Sequence, residues 1–237
     1  MTAQQLSARP AEWDQYEAYF TPLPVSLQGM WTLASVANPQ TIVDVGAGSG
    51  SLGQAAAAAW PWAERVAIEA RASEVPHLRR NYHKVVIGDA LTAPLPSADL
   101  IIANPPFTSA LALAERALAA VRPGGFVFFL VRQTWGDADD VEELLRLQPP
   151  VAELTISGRV SMAEAGQQTK DHFGYQWFAW GPRRPPGSPW IRCLLPRMDK
   201  TSLGWLARPG TGRLPYFDRE LALDLRAIFA GCGVRHG

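Results

Sequence analysis

From about residue 25 to residue 150, short runs that are apolar on both faces alternate with segments of helical period. Thr41-Ile-Val-Asp-Val45 runs into Gly46-Ala-Gly-Ser-Gly50, and the Ala-rich stretch from Leu52 to Trp60 follows, which predicts a strand, a glycine loop and a helix. Arg65–Glu69, Lys84–Gly88 and Ala98–Ala103 read as three more strands, since a buried parallel strand is apolar on both sides. Ala72–Arg80 and Ser109–Val121 carry helical periodicity, and Pro123-Gly-Gly125 turns the chain into a fifth strand, Phe126–Val131. Strands alternating with helices predict an α/β chain built on a Rossmann-like, doubly wound sheet.

After a charged helix, Asp137–Leu147, stopped by Pro149-Pro150, the rhythm changes. Ala152–Met162 and Gly174–Trp180 read as strands around a polar segment, 163–173, and are expected to pair as an antiparallel hairpin at one edge. From Gly181 onward Pro182, Pro185, Pro186, Pro189 and Pro196 punctuate an irregular stretch, and only Asp218–Phe229 again reads as a helix. The expected organisation is one α/β domain over residues 1–180 and a small Pro/Arg-rich extension over 181–237.

Composition narrows the function classes. With 237 residues, 47% hydrophobic and 19% charged, the chain can bury a sizeable core and is too apolar for disorder. Two cysteines, Cys193 and Cys232, and four histidines without ligand spacing exclude a disulfide framework and argue against any metal site. No basic-then-apolar leader and no long uncharged apolar window occur, so a soluble, cytoplasmic chain is expected. Net charge is zero, yet residues 181–237 hold ten basic and four acidic side chains. That excess suggests that Arg183, Arg184, Arg192 and Arg197 face a polyanion. Arginine makes up 19 of the 22 basic residues, which a GC-rich genome would also write without any such partner.

The glycine loop lacks the Lys-Ser/Thr pair of a triphosphate-binding loop. Gly48-x-Gly50-x-x-Gly53 matches a dinucleotide fingerprint, and Glu69, nineteen residues after Gly50, stands where a ribose-binding carboxylate would. Two cofactor classes remain open on that pattern alone. Asp44, at the end of the first strand, favours a cationic methionyl group over a pyrophosphate, which it would repel. Asp89, in Gly88-Asp-Ala90, can accept the amino group of an adenine.

Immediately after the fourth strand comes Asn104-Pro105-Pro106-Phe107. Two successive prolines offer no backbone donors and hold the chain extended, so the Asn104 side-chain oxygen and the Pro105 carbonyl can both accept from one planar amine. Two acceptors on one –NH2 direct its lone pair at an electrophile, and Phe107 can stack on the ring that bears it. Late aromatics such as Tyr175, Trp177 and Trp180 are candidates for the same ring.

These motifs resemble the class I S-adenosylmethionine-dependent methyltransferases. Val43-Asp-Val-Gly-Ala-Gly-Ser-Gly50 looks like their first motif, Glu69 like the ribose acid, and Gly88-Asp89-Ala90 like the adenine-contacting motif. The resemblance implies S-adenosyl-L-methionine held by Asp44, Gly46, Gly48, Gly50, Glu69, Asp89 and Ala90, with Asn104 at the reacting end. It also implies a seven-stranded sheet whose last strand is antiparallel. The tetrapeptide resembles that of enzymes acting on adenine N6 in DNA or RNA, guanine N2 in RNA, or glutamine N5 in release factors. Phe20-Thr21-Pro22 resembles the motif that precedes the glycine loop in DNA adenine-N6 methyltransferases and lines the methionine end of the cofactor. This order of motifs is like the gamma arrangement of those DNA enzymes. Thr108 stands where the guanine-N2 enzymes usually carry His, and the short extension leaves little room for a recognition domain. DNA is thus the expected partner, with RNA or a protein glutamine as alternatives and a binding module with a vestigial cofactor fold as a third reading.

Overall fold

The computed structural model describes residues 20–160, 162 and 173–195. The chain enters through helix α1 (Leu23–Ala34), which the sequence reading did not name. Strand β1 (Thr41–Val45) leads through the glycine loop to α2 (Ser51–Ala59). Then come β2 (Glu64–Glu69), the one-turn helix α3 (Val75–Leu78) and β3 (Lys84–Ile87). β4 (Ala98–Ala103), α4 (Ala110–Ala120), β5 (Val121–Arg132) and α5 (Asp139–Leu147) continue the alternation. β6 (Ala152–Ile156), β7 (Tyr175–Trp180) and β8 (Ile191–Leu195) complete one sheet of order β3-β2-β1-β4-β5-β7-β6-β8.

β1 to β5 pair in parallel, while β7 runs antiparallel to both β5 and β6. The predicted hairpin is therefore present. The sheet has eight strands where seven were expected, because Ile191–Leu195 pairs in parallel with β6. Pro189 and Pro196 flank that run without interrupting it, so its ladder donors are intact and an edge strand forms inside the stretch read as irregular. The predicted helix over Asp218–Phe229 and residues 163–172 of the polar segment lie outside the described residues.

Alternation along β5 splits the core. Phe126, Phe128 and Leu130 face α1 and α2 with Tyr175 and Trp177; Val127, Phe129 and Val131 face α4 and α5 with Phe178 and Trp180. Trp177 lies parallel to Phe128, with centroids 4.5 Å apart. Gly29 on α1 admits this ring, since any Cβ there would collide with it. Trp177 is therefore a docking surface for α1, and the suggestion that Tyr175, Trp177 and Trp180 face the target ring is corrected: all three are buried. Of the early tryptophans, Trp60 is buried and donates to the Ala37 carbonyl, Trp31 is partly buried, and Trp62 is exposed.

Candidate active site

Strand order reverses between β1 and β4, and a ligand crevice opens at the carboxyl ends of strands at such a point. Gly46, Gly48 and Gly50 all take left-handed φ values of 72°, 56° and 88°, which residues with a Cβ rarely adopt. A Cβ on Gly46 would meet no atom, so this part of the loop faces open space in the crevice.

Two cavities flank the loop. One is lined by Gly46, Gly48, Glu69, Arg71, Asp89, Ala90 and Leu91 and reaches Asn104 and Pro106. The other is lined by Phe20, Thr21, Gly46, Gly48, Ser49, Ser51 and again Asn104. Tertiary folding thus brings together three segments far apart in sequence: Phe20-Thr21, the glycine loop and the tetrapeptide. Pro22, Asp44, Gly50, Pro105 and Phe107 do not line these two cavities.

The site joins at one hydrogen bond. Asn104 Nδ2 donates to Thr21 Oγ1 at 3.0 Å. That bond turns the amide nitrogen towards Thr21 and the oxygen the other way, which assigns the acceptor end of Asn104. Thr21 is held in turn because Pro22 opens α1, its carbonyl accepting from Val25 and Ser26 at 2.9 and 3.2 Å. Ser26 and Ser51 hydroxyls meet at 2.8 Å, tying α1 to the start of α2.

Glu69 is buried at the end of β2, where Oε2 accepts the Gly48 N–H at 2.7 Å. Its Oε1 accepts the Arg71 N–H at 3.0 Å and Arg71 Nε at 2.8 Å. A carboxylate offers about four acceptor positions, so three are taken and one is left for a further donor. Arg71 also lies over the Phe20 ring, 5.4 Å from its centroid. The sequence reading missed Arg71; its one signal was a basic residue two positions after the ribose acid. Asp89 is exposed, with Oδ1 accepting the Leu91 N–H at 2.8 Å, and presents its carboxylate beside Ala90 and Leu91.

Asp44 is placed differently from the expectation of a direct ammonium contact. It is fully buried in β1, and the Tyr82 hydroxyl donates to its Oδ2. Burial pushes its pKa up to about 7; the Tyr82 bond opposes that rise and the charge of Glu69 adds to it. Burial likewise raises the Tyr82 phenol well above 10. The third glycine of the apparent dinucleotide fingerprint, Gly53, serves this pair: a Cβ there would collide with the Tyr82 ring. Gly50 also faces Tyr82 and Leu78, so two of the fingerprint's three glycines pack a tyrosine, and the cavities are lined by the third, Gly48, together with Gly46.

Beyond the tetrapeptide, Phe107 opens a short turn and carries the Arg132 guanidinium on its ring. The basic residues expected to meet a polyanion are partly engaged. Arg184 donates to the carbonyls of Pro150 and Pro189 at 2.7 and 2.6 Å, and Arg192 pairs with buried Glu153 at 2.9 Å. Arg183 is exposed, and Arg197 lies outside the described residues. Among the described residues no group of acids, His or Cys could hold a metal, and no helix is long and apolar enough to cross a membrane.

With a glycine cradle and a strand-end acid beside it, this fold is like that of solved class I S-adenosylmethionine-dependent methyltransferases. Residues 30–146 match the family model of the methyltransferase small domain. Fold likeness extends to a protein of Listeria monocytogenes described as a class I S-adenosylmethionine-dependent methyltransferase, 13% identical with a TM-score of 0.59 over 89% of this chain and 72% of that one. A predicted O-methyltransferase of Agrobacterium tumefaciens is 18% identical, TM-score 0.50, over 84% of this chain and 96% of that one. A dimethyladenosine transferase of Plasmodium falciparum is 13% identical, TM-score 0.52, over 70% and 63%. Among curated proteins none matches the sequence.

S-adenosyl-L-methionine is the cofactor that this cleft fits. Glu69 and Asp89 would hold its ribose and adenine from the one cavity, and the open face of Gly46 with Thr21 would take its methionyl end in the other.

Proposed function

We propose that the chain transfers a methyl group to the exocyclic amine of adenine, N6, in DNA. The observation that carries this reading is the Thr21–Asn104 hydrogen bond, which unites the Phe-Thr-Pro segment, the glycine loop and the tetrapeptide at one end of the cleft.

Bound S-adenosylmethionine supplies an electrophilic methyl on a sulfonium. The residues of this chain bind and orient the amine. The Asn104 oxygen and the Pro105 carbonyl accept its two N–H bonds, which holds its lone pair out of conjugation with the ring and aims it at the methyl carbon. As the N–C bond forms and the methyl–sulfur bond breaks, positive charge passes from the sulfonium to the nitrogen and both acceptors bind more tightly, which is where they lower the barrier; the surplus N–H proton then leaves to water, giving the neutral methylamine. A base stacked inside a duplex cannot reach them, so the target is flipped out or single-stranded. Exposed Arg183, together with Arg197, contributes to holding the phosphate backbone in this reading.

Incubation of unmethylated plasmid, total RNA and release factor with labelled S-adenosylmethionine tests the reading, followed by nucleoside and peptide analysis. Label in N6-methyladenine from DNA supports it. Label confined to RNA or to glutamine moves the target while keeping the amine chemistry, and no label anywhere favours a vestigial cofactor fold.

A further inference from the structure

At the carboxyl end of β5, Arg132 places its guanidinium carbon 3.5 Å from the centroid of the Phe107 ring and 3.8 Å from that of Phe173. Two rings that close to one carbon cannot share a face, so the guanidinium is sandwiched and its N–H donors are confined to the plane between the rings. Arg132 makes no ion pair among the described residues, and its buried Nε has no hydrogen-bond acceptor. A packing role alone would be served by an apolar side chain without stranding a buried donor. The rings fix the fork's orientation, and an oxyanion is the group that five in-plane donors match.

Its position specifies which oxyanion. Ala103 of β4 pairs with Phe129, so Arg132 stands three residues past the register at which the chain leaves β4 into Asn104-Pro105-Pro106-Phe107. It therefore stands beside Phe107 and beyond the level of Asn104, the group that holds the amine in the proposed function. We propose that Arg132 is the anion contact of the target site and receives a phosphate of the nucleotide whose amine meets Asn104. This assignment rests on the nucleic-acid reading above.

The test is fluorescence anisotropy of a labelled, adenine-containing single-stranded oligodeoxynucleotide, titrated with the full chain and S-adenosylhomocysteine across a NaCl series. Methyl transfer and S-adenosylhomocysteine calorimetry run in parallel. Arg132→Gln is expected to weaken binding several-fold at low salt and to reduce the slope of log K against log salt by about 0.7, one phosphate contact on a single strand. Arg132→Lys is expected to keep the slope, because the charge remains, and to raise KM, because the fork is lost. An unchanged slope in Arg132→Gln, with a wild-type chain that methylates DNA, overturns the assignment and leaves the proposed function standing. A wild-type chain that neither binds nor methylates nucleic acid overturns both. Loss of S-adenosylhomocysteine binding in both variants makes Arg132 a residue of the fold and also overturns it.

Discussion

Asp44→Asn is expected to flatten the pH dependence of stability between pH 5 and 8. Asp44 is fully buried and its pKa stands at about 7 in the folded chain, against an ordinary carboxylate value of 3.8. Between these two values the folded state holds a proton that the unfolded state has released, so stability falls as pH rises and levels off above pH 7. The whole difference corresponds to on the order of 4 kcal/mol, of which about 3 kcal/mol falls between pH 5 and pH 8. Asparagine keeps an acceptor for the Tyr82 hydroxyl and does not titrate, so the decline belongs to the wild type alone. Tyr82→Phe provides the opposing arm. It removes the bond that holds the Asp44 pKa down, and the decline should move to higher pH. Reversible urea unfolding at half-unit pH steps measures all three proteins. Parallel curves for wild type and Asp44→Asn would refute the reasoning, because Asp44 would then be ionised throughout despite its burial.

Three further outcomes bear on the site. Glu69→Gln should weaken S-adenosylhomocysteine binding by about ten-fold, read by calorimetry, since the carboxylate that fixes Gly48 of the loop and Arg71 beside the cavity becomes a neutral amide. Thr21→Val should lower kcat by about ten-fold, because the acceptor that orients the Asn104 amide is gone; Thr21→Ser should restore most of it, whereas a purely steric role would not be rescued by the smaller residue. On the proposed function, in which the Asn104 oxygen acts on the amine in the transition state, Asn104→Ala should lower kcat by roughly 100-fold or more while S-adenosylhomocysteine affinity changes little. Near-normal turnover in that variant would make the tetrapeptide a turn.

Local sequence determined the alternation of strands and helices, the glycine loop and the tetrapeptide. Each depends on a short-range cause: period, a left-handed backbone or a proline pair, all visible within ten residues. The identities of Glu69 and Asp89 as strand-end acids were legible for the same reason. What only tertiary structure decided is which of these groups meet. Asp44, two residues from Gly46, is buried and lines neither cavity, and Tyr82, drawn in over Gly50 and Gly53, donates to its carboxyl. Thr21 reaches Asn104, 83 residues away, because Gly29 lets α1 lie against Trp177. Arg132 meets Phe107 only once β5 lies beside β4. The eighth strand forms because β6 offers an edge, a partner that no local pattern around Ile191–Leu195 contains. Long-range contacts of this kind depend on the shape of surfaces assembled from distant segments, and a linear pattern carries no record of them.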